Sequence, residues 1–79
     1  METIGRRLEA SRDRRLWTQE KLAAESAVPV VTISRIENDR YSQRPRVATL
    51  QKLADALGVP LEWLVFGDGQ AEEMGKAAA

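Results

Sequence analysis

The chain has 79 residues, 43% of them hydrophobic, with 12 basic and 12 acidic side chains and neither cysteine nor histidine. That length makes one domain with a modest core, marginal in stability unless it dimerises, and no apolar run is long enough for a membrane span or an export signal. Without cysteine and histidine there is no disulfide, thiolate nucleophile or cysteine zinc site, and no buried carboxylate pair is evident, so the chain reads as a non-enzyme with no metal, no cofactor and no membrane partner.

Every long segment has helical period, with no strand signal and no internal repeat. Ile4, Leu8 and Ser11 fall one turn apart, and Leu16 closes the first segment. Arg6, Arg7, Arg14 and Arg15 read as a solvated face of this helix. Thr18 is a good N-cap for a second helix, with Glu20 in its positive first turn. Trp17 and Leu22 occupy the two positions of a hydrophobic staple, while Lys21 leaves the capping box incomplete. Leu22 and Ala23 face inward, and Ala23 is small enough for a close helix crossing.

Ala27-Val28-Pro29 breaks this helix, and Pro29 fits the first position of the next. Ile33 and Ile36 then point into the core. What remains of the third helix is Val30, Val31, Ser34 and Arg35, small and apolar groups beside one long bidentate donor. A helix face so bare of ordinary surface residues suits the major groove of DNA. Partial burial of the two valines, and pairing of Arg35 with Asp39, are the plainer readings.

Residues 39–45 are polar and contain a proline, which predicts a loop. A fourth helix carries Val47, Leu50, Leu53, Ala54 and Leu57 on one face, and Gly58 ends it as a left-handed residue. Pro60 opens a short fifth helix with Leu61, Trp63, Leu64 and Phe66. The prediction is a compact all-α domain of five helices over residues 1–67. Residues 68–79 read as a flexible tail or linker. Its terminal Ala77-Ala78-Ala79 resembles a vector-derived scar, which favours an N-terminal domain excised from a longer protein over a frayed natural terminus.

A net charge of zero argues against a nucleic-acid binder until its distribution is considered. The tail holds Asp68, Glu72 and Glu73 against Lys76, which leaves 11 basic and 9 acidic groups in residues 1–67. Near-neutrality predicts modest non-specific affinity, with binding concentrated in placed contacts.

The run Thr18-Gln19-Glu20-x-Leu22-Ala23, then Val28, then Thr32 to Asn38, then Thr49-Leu50-x-x-Leu53-Ala54-x-Ala56-Leu57-Gly58-Val59, resembles the Cro/repressor-type (xenobiotic-response-element) helix-turn-helix family. Arg44-Pro45-Arg46 and Trp63 are similar to the N-terminal domains of lambdoid phage repressors. The resemblance implies a lambda-repressor-like fold with the helix-turn-helix at helices 2 and 3. It implies base-reading positions at Val30, Val31, Ser34 and Arg35. Gln19, Thr32 and Asn38 would contact phosphates, and Gln19 would also brace helix 3. Arg44 and Arg46 would lie at the backbone or minor groove near a dimer centre. Leu61, Trp63 and Phe66 would form the dimer contact, and Arg12 and Glu37 a structural bridge between helices 1 and 3. Two departures stand out: Ala27 fills the turn position that is usually glycine, and Pro29 replaces the usual serine or threonine cap of helix 3.

The resulting expectation is a sequence-specific transcriptional regulator, a phage or prophage-type repressor that binds a pseudo-palindromic operator in double-stranded DNA. It would act as a homodimer, weak without DNA, with RNA polymerase as a candidate contact. Its location would be the bacterial cytoplasm at the nucleoid. The alternative is a protein-interaction module of the same fold, such as an antitoxin or scaffold domain.

Overall fold

Four helices, α1 (Ile4–Arg14), α2 (Gln19–Ser26), α3 (Val30–Glu37) and α4 (Val47–Leu57), precede a fifth, α5, over residues 61–67. This computed structural model describes residues 2–67, among which there is no strand. The tail expected over 68–79 lies outside the described residues.

Local chemistry sets the helix starts. The Thr3 hydroxyl accepts the Arg6 N–H at 3.1 Å and caps α1. The Thr18 hydroxyl accepts the Lys21 N–H at 3.0 Å and caps α2. Trp17, just ahead of Thr18, is half-buried against the core, as a staple residue should be. Pro29 stands one place earlier than expected. It is the N-cap of α3, with extended backbone (φ −58°, ψ 143°), and its carbonyl accepts the Thr32 and Ile33 N–H groups. Because a proline ring cannot cap, α3 starts with no side-chain hydrogen bond.

The core gathers one stripe from each helix: Ile4 and Leu8, Leu22, Ile33 and Ile36, then Leu50, Leu53, Ala54 and Leu57, closed by Leu64. Burying each leucine or isoleucine contributes about 1.5–3 kcal/mol. Helix α1 crosses α3 closely, and Gly5 permits it. A Cβ there would collide with the Ile36 carbonyl and lie 2.9 Å from that of Glu37. Gly58 ends α4 at φ +69°, as its place in the sequence predicts.

Three further expectations are corrected. Val47 does not join the inward face of α4; it is 65% exposed. It is the first residue of its helix, and helical side chains tilt towards the N-terminus, so it projects past the packed turns. Leu16 lies beyond α1 at φ +58° and is 92% exposed. Arg7 is not on a solvated face: it is buried, and it donates to the Leu64 carbonyl through Nε (2.9 Å) and to that of Val65 through Nη2 (2.8 Å). The last carbonyls of α5 have no helical partner, and Arg7 supplies one.

Candidate nucleic-acid interface

The turn between α2 and α3 is built without glycine. Ala27 takes the left-handed conformation (φ +61°, ψ 27°) and returns its N–H to the Ala23 carbonyl. A β-carbon in that region costs about 1–2 kcal/mol. The buried Ser26 hydroxyl holds the corner from both sides. It donates to the Leu22 carbonyl at 2.7 Å and accepts the Val28 N–H at 3.2 Å.

A buried polar node then fixes α3 against α1 and α2. The Glu37 side chain is only 2% exposed. Its carboxylate accepts Arg12 Nε (2.8 Å), Arg12 Nη2 (2.9 Å) and Gln19 Nε2 (3.0 Å). Arg12 Nη1 reaches the Trp17 carbonyl at 2.8 Å. Hydrogen bonding to Glu37 raises the guanidinium pKa of Arg12 further above its already high ordinary value. The two residues paired by the family pattern therefore meet as a bidentate ion pair. Gln19, at the start of α2, is braced on α3 through the same carboxylate.

On the outer face of α3, Val31 is 55% exposed and Arg35 is exposed, while Val30, Thr32 and Ser34 are half-buried. Asn38 caps the helix end: its Nδ2 donates to the Ser34 carbonyl at 2.8 Å. The chain then turns at Asp39, which has φ +54°. Asp39 does not pair with Arg35. Its Oδ2 accepts the Thr3 hydroxyl at 3.1 Å, across at the start of α1.

Beyond Asp39 the loop curls into a recess of about 380 Å³. Arg35 of α3 and Arg40, Tyr41, Gln43, Arg44 and Arg46 of the loop line it. The structure thus joins the one long donor of α3 to the arginines on either side of Pro45. It adds Arg40, which the sequence reading missed. Its position as the first loop arginine was the available signal. Among the described residues, none of Arg35, Arg40, Arg44 and Arg46 makes an ion pair. No carboxylate lines the recess.

The expected dimer residues lie on α5. Leu61 and Trp63 are half-buried and pack partly on the core, and Phe66 is 50% exposed. No helix among the described residues is long and apolar enough to cross a membrane. No group of three or more acidic side chains among them could hold a metal ion.

The chain is 43% identical over its whole length to the HTH-type transcriptional repressor RghR of Bacillus subtilis (strain 168), covering 58% of that protein. It is 36% identical to the immunity repressor protein of Bacillus phage phi105, over 80% of this chain and 42% of that protein. It spans about half the length of the curated relatives it matches. The P22 c2 repressor protein, solved in complex with a synthetic operator, superposes with a TM-score of 0.77 at 28% identity, over 86% of this chain and all of that one. The SinR/SinI complex shares the fold at a TM-score of 0.76 and 23% identity, over 96% of this chain and 78% of that one. A helix-turn-helix family model matches residues 8–64, from Leu8 of α1 to Leu64 of α5. With α2 and α3 meeting at a left-handed corner and α3 carrying an open outer face, the chain belongs to the helix-turn-helix family of the Cro/repressor type.

Proposed function

We propose that this chain is the DNA-binding domain of a transcriptional repressor, reading a pseudo-palindromic operator as a dimer. The observation that carries the reading is the unpaired cationic recess that continues from the exposed face of α3. Four exposed guanidinium groups with no carboxylate among them make a positive surface that a polyanion would complement. A duplex backbone beside the major groove meets that need while α3 reaches the bases. The relatives named as repressors, and the neighbour solved with an operator, support the same reading.

In this reading Val30, Val31, Ser34 and Arg35 read bases. Valines offer only apolar contact, which in the major groove selects the thymine methyl. Arg35 presents a fork that suits guanine O6 and N7. Gln19, Thr32 and Asn38 lie at phosphates, with the start of α2 as a second donor group. Arg44 and Arg46, joined by Arg40, engage the backbone or a narrow minor groove. Two copies meet through Phe66 with Leu61 and Trp63, placing their α3 helices about 34–36 Å apart, one DNA turn. Three side chains, two of them half-buried on the core, are few beside the roughly 20–30 residues a side of a standard interface, so the dimer forms mainly on DNA. Repression follows from occupying a promoter, and contact with RNA polymerase from a flanking site is compatible with the same placement. Action at the nucleoid follows from the same reading.

The test is a salt titration on fragmented genomic DNA, followed by selection from a random duplex pool. One preferred sequence with a steep salt slope supports the reading. Sedimentation should give a monomer alone and a 2:1 complex on the selected site. Indifference to DNA at low salt would reject it and leave the protein-interaction reading.

A further inference from the structure

Arg35 is followed four residues later by an acid, Asp39, the spacing at which the two would normally form a helical ion pair. The structure prevents it in two ways. Asp39 lies past the end of α3 in the left-handed region, so the chain bends away before its side chain can lie along Arg35. Its carboxylate then sits on the start of α1. Oδ2 accepts the Thr3 hydroxyl, and Oδ1 occupies the space that a Cβ on Gly5 would enter, 2.8 Å from it. That place suits an anion, because the first turn of an eleven-residue helix carries positive partial charge. Thr3 serves twice, since the same hydroxyl accepts the Arg6 N–H. The two acids nearest the recess in sequence, Glu37 and Asp39, are therefore both turned away from it, one towards Arg12 and one towards Thr3.

We propose that Thr3 is a positioning residue for DNA recognition: by holding Asp39 on the start of α1, it keeps the carboxylate off Arg35 and the recess arginines. This rests on the DNA-binding reading above. Thr3 acts through Asp39, its hydrogen-bond partner. Releasing Asp39 would free a carboxylate just past the end of α3, where even unpaired it lowers the positive potential around Arg35, the group expected to fix a G·C pair. Specific binding should fall more than non-specific binding.

The test is a double-mutant cycle between Thr3 and Asp39, read on operator and on random duplex DNA. Thr3→Val removes both hydrogen bonds of the hydroxyl. Thr3→Asp keeps a capping oxygen for α1 but repels Asp39, so it reports even if Thr3→Val weakens the fold. Each should lower operator affinity about fivefold, a loss of specificity of the size of one placed contact. In an Asp39→Asn background, where asparagine tolerates the left-handed turn, the effect of Thr3→Val should nearly vanish. That of Thr3→Asp should shrink to the long-range effect of its own charge. Equal losses in both backgrounds would overturn the proposal and leave Thr3 a cap only. The side-chain Nε–H resonance of Arg35 decides the question without DNA. It should shift on Thr3→Val only while Asp39 is present, and an unchanged resonance overturns the latch. If the wild type reads no DNA sequence but the Arg35 resonance responds as stated, the DNA reading has failed and the latch has not.

Discussion

Arg7, Arg12 and the exposed Arg15, on or just past α1, are tied to fixed acceptors within the chain. Arg7 holds the last carbonyls of α5, Arg12 holds Glu37, and Arg15 donates to the Leu57 carbonyl at 3.0 Å while stacking on Trp17 at 5.0 Å. Arg35, Arg40, Arg44 and Arg46, around the recess, have no such partners. The side chain is the same in both regions, so the difference lies in what backbone geometry brings within reach. Where helix ends and a buried carboxylate converge on α1, arginine serves as an internal cap. Where α3 ends in a left-handed turn and the following acid is drawn elsewhere, arginine is left for a partner outside the chain. The near-zero net charge hides this division, because the inward arginines and the diverted acids both drop out of the surface that matters.

The comparison breaks if the inward arginines are not needed for stability. The largest effect is expected at the node. Glu37→Ala leaves Arg12 almost buried without its counter-charge, and Arg12→Ala strands the carboxylate. Either should destabilise by about 3–5 kcal/mol in chemical unfolding. A double-mutant cycle should show strong coupling between the two. Because Gln19 leans on the same carboxylate, Glu37→Ala should also weaken DNA binding under conditions where the protein remains folded. Independent, additive losses would mean that the pair is only a surface ion pair.

Next comes Arg7→Met, which keeps most of the buried aliphatic bulk and removes the two hydrogen bonds to α5. Bonds from charged donors contribute about 1.5–3 kcal/mol each at most, and the apolar replacement offsets part of that. A net loss near 2 kcal/mol is expected. Hydrogen exchange should quicken first at the amides of α5. Uniform quickening across all helices would show that Arg7 stabilises the whole fold rather than this end.

The outward set should behave in the opposite way. Arg35→Ala should cost about 1–3 kcal/mol of operator binding and relax choice at one G·C position. Its unfolding midpoint should stay within the range of a surface change, about 0.5 kcal/mol. Replacing Arg40, Arg44 and Arg46 together should lower affinity on all sequences and flatten the salt slope by up to about three units. A substantial loss of stability in any of these variants would erase the distinction between the two regions.

The fold was largely legible because it rests on local rules. The period of Leu50, Leu53, Ala54 and Leu57, the cap at Thr18 and the glycine at 58 each act within a few residues, and each stands where the sequence predicts. The inward-facing arginines were not legible. Nothing near Arg7 in sequence distinguishes it from Arg6; its acceptors are 57 and 58 residues away. Val47 satisfied the helical period but not the length of what covers it. At the interface, Arg35, Arg44 and Arg46 stood out as residue types, whereas the recess that unites them, and Arg40 within it, depend on the course of the loop. The fate of Asp39 could not be read either, since Thr3 lies 36 residues away.

The smallest effect concerns the two non-glycine residues that turn the chain into and out of α2. Leu16 precedes it at φ +58°, and Ala27 follows it at φ +61°. A β-carbon costs about 1–2 kcal/mol in this region. Glycine removes that strain but loses about 0.5–1 kcal/mol to the greater freedom of the unfolded chain. Leu16 is 92% exposed, so its side chain contributes no packing that a substitution would forfeit. Leu16→Gly should therefore stabilise by about 0.5–1 kcal/mol, which in a domain of this size raises the melting temperature by roughly 2–8 °C. Ala27→Gly should do the same or slightly less, having fewer atoms to relieve. Leu16→Gly should leave operator affinity unchanged, because Leu16 belongs to neither the node nor the recess. If it instead lowers the melting temperature, the leucine is held by contacts that its exposure conceals. If it lowers affinity at unchanged stability, the turn before α2 is part of the DNA-facing surface, and the boundary between the two regions moves to include it.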